Sequence, residues 1–104
     1  MALQDYTRSE RLLGSAEAQL LQTPAPELSA DVALAYSSLS DMIGKHELAL
    51  DYAQRGLDQL APDQALSMQV RLLRNRARAQ AQLGLMNAAR ESLAAALAVV
   101  ERVV

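Results

Sequence analysis

The sequence predicts an all-α protein built from a repeated helical hairpin, and three observations predict it. Two stretches forty residues apart share one pattern, Gly44 to Leu57 and Gly84 to Leu97. Each places a glycine, four further residues, an alanine, and then small or apolar positions four, seven and eight beyond it; a fixed internal period of this kind marks a repeat architecture. Apolar residues elsewhere recur three and four apart, and no stretch alternates as a strand would. Finally, 51% of the residues are hydrophobic but only 3% are aromatic, with no Trp and no Phe. An interior of Leu, Val, Met and much Ala lets helices approach closely.

At 104 residues the chain is read as a single domain over 1–104, large enough to bury a core without metal or crosslinks. A leading helix is expected over 3–22, with Leu3, Tyr6, Leu13, Ala16 and Leu20 on one face. It stops before Thr23-Pro24-Ala25-Pro26, because the residue preceding a proline is pushed out of the helical region. The first hairpin spans 27–61. Its opening helix starts near Glu27 or Ser29, buries Val32, Tyr36, Leu39 and Ile43, and closes at Gly44, which can take the left-handed cap conformation. Its second helix presents Leu50, Ala53, Leu57 and Leu60 and ends before Pro62. The second hairpin spans 63–103. Asp63 is a candidate cap, Leu66, Val70, Leu73 and Ala77 form the buried stripe, and Gly84 closes that helix. The last helix starts near Met86, with Ala89, Leu93, Ala96, Leu97 and Val100 facing inward.

Composition narrows the function classes. There is no Cys, hence no disulfide framework and no thiolate chemistry. Met1 to Asp5 has no basic segment leading into an apolar run, and no apolar stretch reaches the roughly 18 residues that span a bilayer. The expectation is a soluble, cytoplasmic protein. Net charge is −2, too small to draw the chain to nucleic acid or anionic membrane. The charges are uneven, however. From Glu27 to Asp63 carboxylates dominate, while from Gln64 to Arg90 every charge is an arginine. That asymmetry is the strongest functional clue.

The glycines, alanines and large apolar residues of the two matched stretches resemble the tetratricopeptide repeat, a helix-turn-helix unit of about 34 residues. Gly44, Ala49, Ala53, Gly56 and Leu57 match the family's positions in one unit, and Gly84, Ala89, Leu93, Ala96 and Leu97 match in the next. The likeness covers residues 30 to 104, and the leading helix resembles the second half of a truncated unit. The first helix of each unit lacks the family's Leu-Gly pair and tyrosine. The forty-residue spacing is similar to the longer repeats of bacterial signalling and transcription-regulating proteins. The resemblance implies a right-handed α-α superhelix, a solenoid of about five antiparallel helices; a plain five-helix bundle is the alternative packing. It also implies a non-catalytic module for protein interaction, a regulatory or sensory segment of a larger protein.

Two surfaces are candidates. Arg71, Arg74 and Arg78 lie at i, i+3 and i+7, within about 60° on one side of a helix. The resemblance places them, with Asn75, in the groove where such modules hold peptides. Arginine suits an acidic peptide because its planar fork can grip a carboxylate with two hydrogen bonds. The competing reading is a solvated face in which Asp31 and Asp41 pair with these arginines. The second surface is the terminal helix, apolar on more than one side, where Leu97, Val99, Val100, Val103 and Val104 form a face for chain continuation or homodimerisation.

Other residues carry less. Arg76 falls within an apolar arc, and Glu91 or Asp51 is expected to meet its charge. His46 is the one histidine; it reads as an exposed turn residue, without a nucleophile, an orienting carboxylate or a second metal ligand. No catalytic residue, metal site or cofactor site is expected. The arginines lack interleaved aromatics, which ranks nucleic-acid binding low.

Overall fold

Two glycines set the frame. Gly44 and Gly84 sit at φ 81° and 80°, in the left-handed region that penalises any side chain with a Cβ. In the computed structural model, which describes residues 25–103, both close a helix in the same way. The Gly44 N–H donates to the Asp41 carbonyl (3.1 Å) and the Lys45 N–H to that of Ser40 (2.9 Å). Forty residues on, Gly84 donates to Ala81 (3.1 Å) and Leu85 to Gln80 (2.8 Å). Each pair is a Schellman closure, which satisfies carbonyls that a helix end leaves without partners.

Four helices result: α1 (Pro26–Met42), α2 (His46–Asp58), α3 (Leu66–Gln82) and α4 (Met86–Val103). The boundaries at 26, 42 and 46 recur at 66, 82 and 86, forty residues later in each case. No strand occurs among the described residues. The leading helix expected over 3–22 lies outside them.

Connections of three residues fold α1 back on α2 and α3 back on α4. α2 also packs on α3, and α1 touches α3, whereas α4 meets only α3 among these helices. Ala30, Leu34 and Leu72 form one buried cluster with Leu57, Leu60 and Met68 against it. Leu73, Ala96 and Val99 form a second, flanked by Leu57, Leu66 and Val70. Leu57 belongs to both and so ties the hairpins together. Gly56 makes the approach possible, since a Cβ there would lie 2.7 Å from Leu72 Cδ2 and 3.3 Å from Ala33 Cβ.

Three expectations are corrected. Asp63 caps nothing; it is exposed and pairs with Arg102 at 3.8 Å. The residue before α3 is Ala65, at φ 49° and ψ 55° without a side-chain cap. The connection is instead held by Gln69, whose amide nitrogen lies 3.1, 3.0 and 2.8 Å from the carbonyl oxygens of Ala61, Pro62 and Gln64. In α4, Leu93, Leu97 and Val100 do not face inward but are 53%, 59% and 39% exposed. Ala89, Ser92, Ala96 and Val99 make the buried strip. The reason is the count of neighbours: α4 has one helical partner, α3, and one partner covers one strip. Third, Arg76 meets neither Glu91 nor Asp51. Its Nε donates to Ser92 Oγ (2.9 Å) and its Nη1 to Gln54 Oε1 (2.8 Å), and Ser92 in turn donates to Gln80 Oε1 (2.6 Å). Neutral oxygens thus receive the guanidinium, and the network links α2, α3 and α4.

Candidate interaction surface

The stripe on α3 begins from helix periodicity. With Leu72, Leu73, Ala77 and Ala79 buried against neighbouring helices, residues 71, 74, 75 and 78 must turn the other way. They do, and Arg71, Arg74, Asn75 and Arg78 line a single cavity of about 150 Å³ with Leu34 and Ser38 of α1. All four residues expected from the sequence therefore meet at one place.

Their states differ. Arg71 and Arg74 are exposed and make no hydrogen bond or ion pair among the described residues. Asn75 is half-buried and its Nδ2 donates to Ser38 Oγ at 3.0 Å. Arg78 pairs with Asp41 at 3.7 Å, its own side chain 55% exposed and that of Asp41 19%. A solvent-exposed pair of this length is worth only about 0–1 kcal/mol, so Arg78 can exchange Asp41 for another carboxylate at little expense. The competing ion-pair reading holds for Asp41 with Arg78 and not for Asp31, which is exposed and has no such pair.

Asp41 also has a second partner. His46 Nδ1 lies 3.0 Å from Asp41 Oδ1, within hydrogen-bond reach of the carboxylate. His46 is therefore the half-buried first residue of α2, not an exposed turn residue. An orienting carboxylate stands beside it after all. The recess at this turn, about 660 Å³, is lined by His46, Glu47, Asp51, Lys45 and Leu83 among others. No three His, Cys, Asp or Glu side chains among the described residues converge to hold a metal ion.

A second groove was not anticipated. Arg74 and Arg78 have another side, where a cavity of about 310 Å³ lies between α3 and α4 with Met86, Ala89, Arg90 and Leu93 in its wall. The forty-residue register carried the signal. It maps this groove onto the one between α1 and α2, but periodicity within α4 alone pointed Leu93 inward.

The terminal face is only partly available. Leu97 and Val100 are exposed, but Val99 is 7% exposed and packs with Leu73 and Ala96. It cannot serve an interface without α4 rotating away from α3. The Val103 side chain and Val104 lie outside the described residues. No helix among the described residues is long and apolar enough to cross a membrane. Compared with protein-family models, curated proteins and solved structures, the chain matches none.

Proposed function

We propose that this chain is a non-catalytic protein-interaction module of the tetratricopeptide type, which binds an acidic peptide along the exposed face of α3. One observation carries the reading: Arg71, Arg74, Asn75 and Arg78 line one cavity, and two of the arginines have no counter-charge among the described residues. Desolvating an unpaired cation is unfavourable unless the ligand supplies a carboxylate, so the site selects for acid. Ser38 and Leu34, from α1, form the opposite wall and admit a chain with small or apolar residues between its acids. The recurrence of helix bounds every forty residues supports the repeat reading and a superhelical stacking of the hairpins. A module of this design belongs in a larger signalling or transcription-regulating protein, where it holds a partner and catalyses nothing.

The test uses a fluorescein-labelled octapeptide of alternating glutamate and proline, which stays extended because proline excludes the helix. Wild type should bind it in low salt and lose affinity steeply as salt rises, because the Debye length shrinks from about 30 Å at 0.01 M to about 8 Å at 0.15 M. Arg71→Ala/Arg74→Ala/Arg78→Ala should weaken binding at least about tenfold, or about 1.4 kcal/mol. Equal affinity for wild type and the triple variant would remove the stripe from the interface.

A further inference from the structure

Among the described residues, one groove is filled by a helix and its counterpart stands open. α3 occupies the groove between α1 and α2. Leu72 packs with Ala30 and Leu34 and closes on Gly56, Asn75 donates to Ser38, and Arg78 pairs with Asp41. Forty residues later, the positions of Ser38, Asp41, Ala53 and Leu57 are taken by Arg78, Ala81, Leu93 and Leu97. The corresponding groove lies between α3 and α4. It holds the 310 Å³ cavity rimmed by Arg74, Arg78 and Arg90 with Met86 and Leu93 in its wall. Where Ala53 is fully buried beneath its neighbours, Leu93 is 53% exposed, and Met86 matches it at 53%.

We infer that the α3–α4 groove is a docking site for one acidic, amphipathic α-helix presented by a partner protein. The shape argues for a helix, because a helix is what the matching groove already takes. The charge argues for acid. In the first groove the carboxylate, Asp41, belongs to the groove and the cation, Arg78, to the helix that enters. In the second groove the cations belong to the groove, and Arg74 and Arg90 have no ion pair among the described residues, so the entering helix must bring the carboxylates. A helix as rich in arginine as α3 would be repelled. The apolar requirement comes from Met86, Leu93 and Leu97, which a helix would cover with residues at spacings of three and four. One further feature sets the fit. The position matching Gly56 is Ala96, already buried against Leu73 and Val99, so the entering helix rides higher over it and needs a residue smaller than leucine at the place Leu72 takes on α3.

This inference shares Arg74 and Arg78 with the extended-peptide site but does not rest on it, since Arg90, Leu93 and Leu97 lie outside that cavity. The probe is a synthetic helix with the sequence of residues 65–82, with glutamate in place of each arginine and of Asn75 and with alanine in place of Leu72. Its control keeps the native sequence. Fluorescence anisotropy against the purified chain should show the glutamate helix binding, with the native-sequence helix at least about tenfold weaker. Leu93→Ser/Leu97→Ser should reduce binding of the glutamate helix at least tenfold and leave the Glu-Pro octapeptide unaffected; Arg90→Ala should weaken the helix alone. The leucines and Arg90 are surface residues, so circular dichroism should show all variants folded like wild type. Absence of binding at millimolar peptide, equal binding of both helices, or binding indifferent to the leucine variant would each overturn the inference. So would sedimentation of the free protein as a dimer that Leu93→Ser/Leu97→Ser dissociates, because the occupant would then be a second copy.

Discussion

Where the first hairpin stacks Tyr36 on Tyr52, with ring centroids 4.8 Å apart and planes within 14°, the second sets Arg76 against Ser92 at 2.9 Å. Both partners have moved on by forty residues, yet the helices around them keep three of their four bounds, and only the far end of the second helix differs, at Asp58 against Val103. The frame is therefore not set by the pair at the crossing. It is set by the Schellman closures at Gly44 and Gly84 and by small residues on α2 and α4, such as Ala49 and Ala89, both buried. What differs is the chemistry the frame holds. The first hairpin has a buried, hydroxyl-lined interior, with Ser37 donating to the Ala49 carbonyl at 2.7 Å, and a groove that α3 closes. The second hairpin has a charged network inside and an open groove outside. Similar backbones thus carry different surfaces, one covered by α3 and one exposed.

The sharpest way to test that division is to make one chemical change in both settings. Leu72 is fully buried where α3 enters the first groove, and Leu97 is 59% exposed beside the second. Leu72→Ala should destabilise the chain by about 2–5 kcal/mol, the range for a buried leucine. Leu97→Ala should stay within about 0.5 kcal/mol, as a surface change does. Chemical denaturation measures both, and comparable losses would mean that the second groove is already filled.

The shared frame can be broken at the two glycines. Gly44→Ala and Gly84→Ala each force a Cβ into the left-handed region, a penalty of about 1–2 kcal/mol. Nothing crowds either position, so the two losses should agree within about 0.5 kcal/mol. A large difference would show that the closures are not equivalent.

Gly56→Ala probes the contact that only the first groove has. The new Cβ would meet Leu72 Cδ2 at 2.7 Å, an overpacking cost of about 1–3 kcal/mol, offset by up to about 1 kcal/mol of helix propensity. In a Leu72→Ala background the clash with Leu72 disappears and only the 3.3 Å approach to Ala33 remains, so most of the penalty should be lost. A penalty that persists there would place its origin elsewhere.

The exchange of interiors gives a smaller effect. Arg76→Tyr with Ser92→Tyr rebuilds the aromatic crossing in the second hairpin and should shift stability by no more than about 1.5 kcal/mol, the scale of an aromatic pair. Collapse of the fold would show that Arg76 is needed to join α2 through Gln54. Smallest of all, Asp41→Asn removes the charge that faces the exposed Arg78, while an amide oxygen there can keep the contact with His46, so it should cost about 1 kcal/mol or less; it should also leave Arg78 more available to an acidic peptide.

Much of this was legible in the sequence because it depends on local chemistry. Pro26 at the start of α1, the glycines that end α1 and α3, and the forty-residue period placed helix boundaries within a few residues. Periodicity on α3 also put Arg71, Arg74, Asn75 and Arg78 on one side, where they line one cavity. What escaped depends on neighbours. α4 carries two apolar strips, and the pattern cannot say whether one or two helices cover them; Leu93 and Leu97 were assigned to the wrong one. Arg76 was assigned a carboxylate because buried charge usually needs one, whereas Ser92, Gln80 and Gln54 share the task. Gln69 gave no signal, because a glutamine on a helix is ordinarily solvated, and its role depends on carbonyls from a connection five to eight residues earlier. His46 looked isolated because its partner, Asp41, lies across the turn on another helix.

The central claim is that the arginine face of α3 recognises acid. Its most direct test is titration of the isotopically labelled protein with the Glu-Pro octapeptide, followed by backbone amide shifts. Saturable shifts at Arg71, Arg74, Asn75 and Arg78, with those of α2 quiet and the effect abolished by high salt, are the predicted result. No saturable shift at millimolar peptide, or shifts centred on the His46 turn instead, would contradict it.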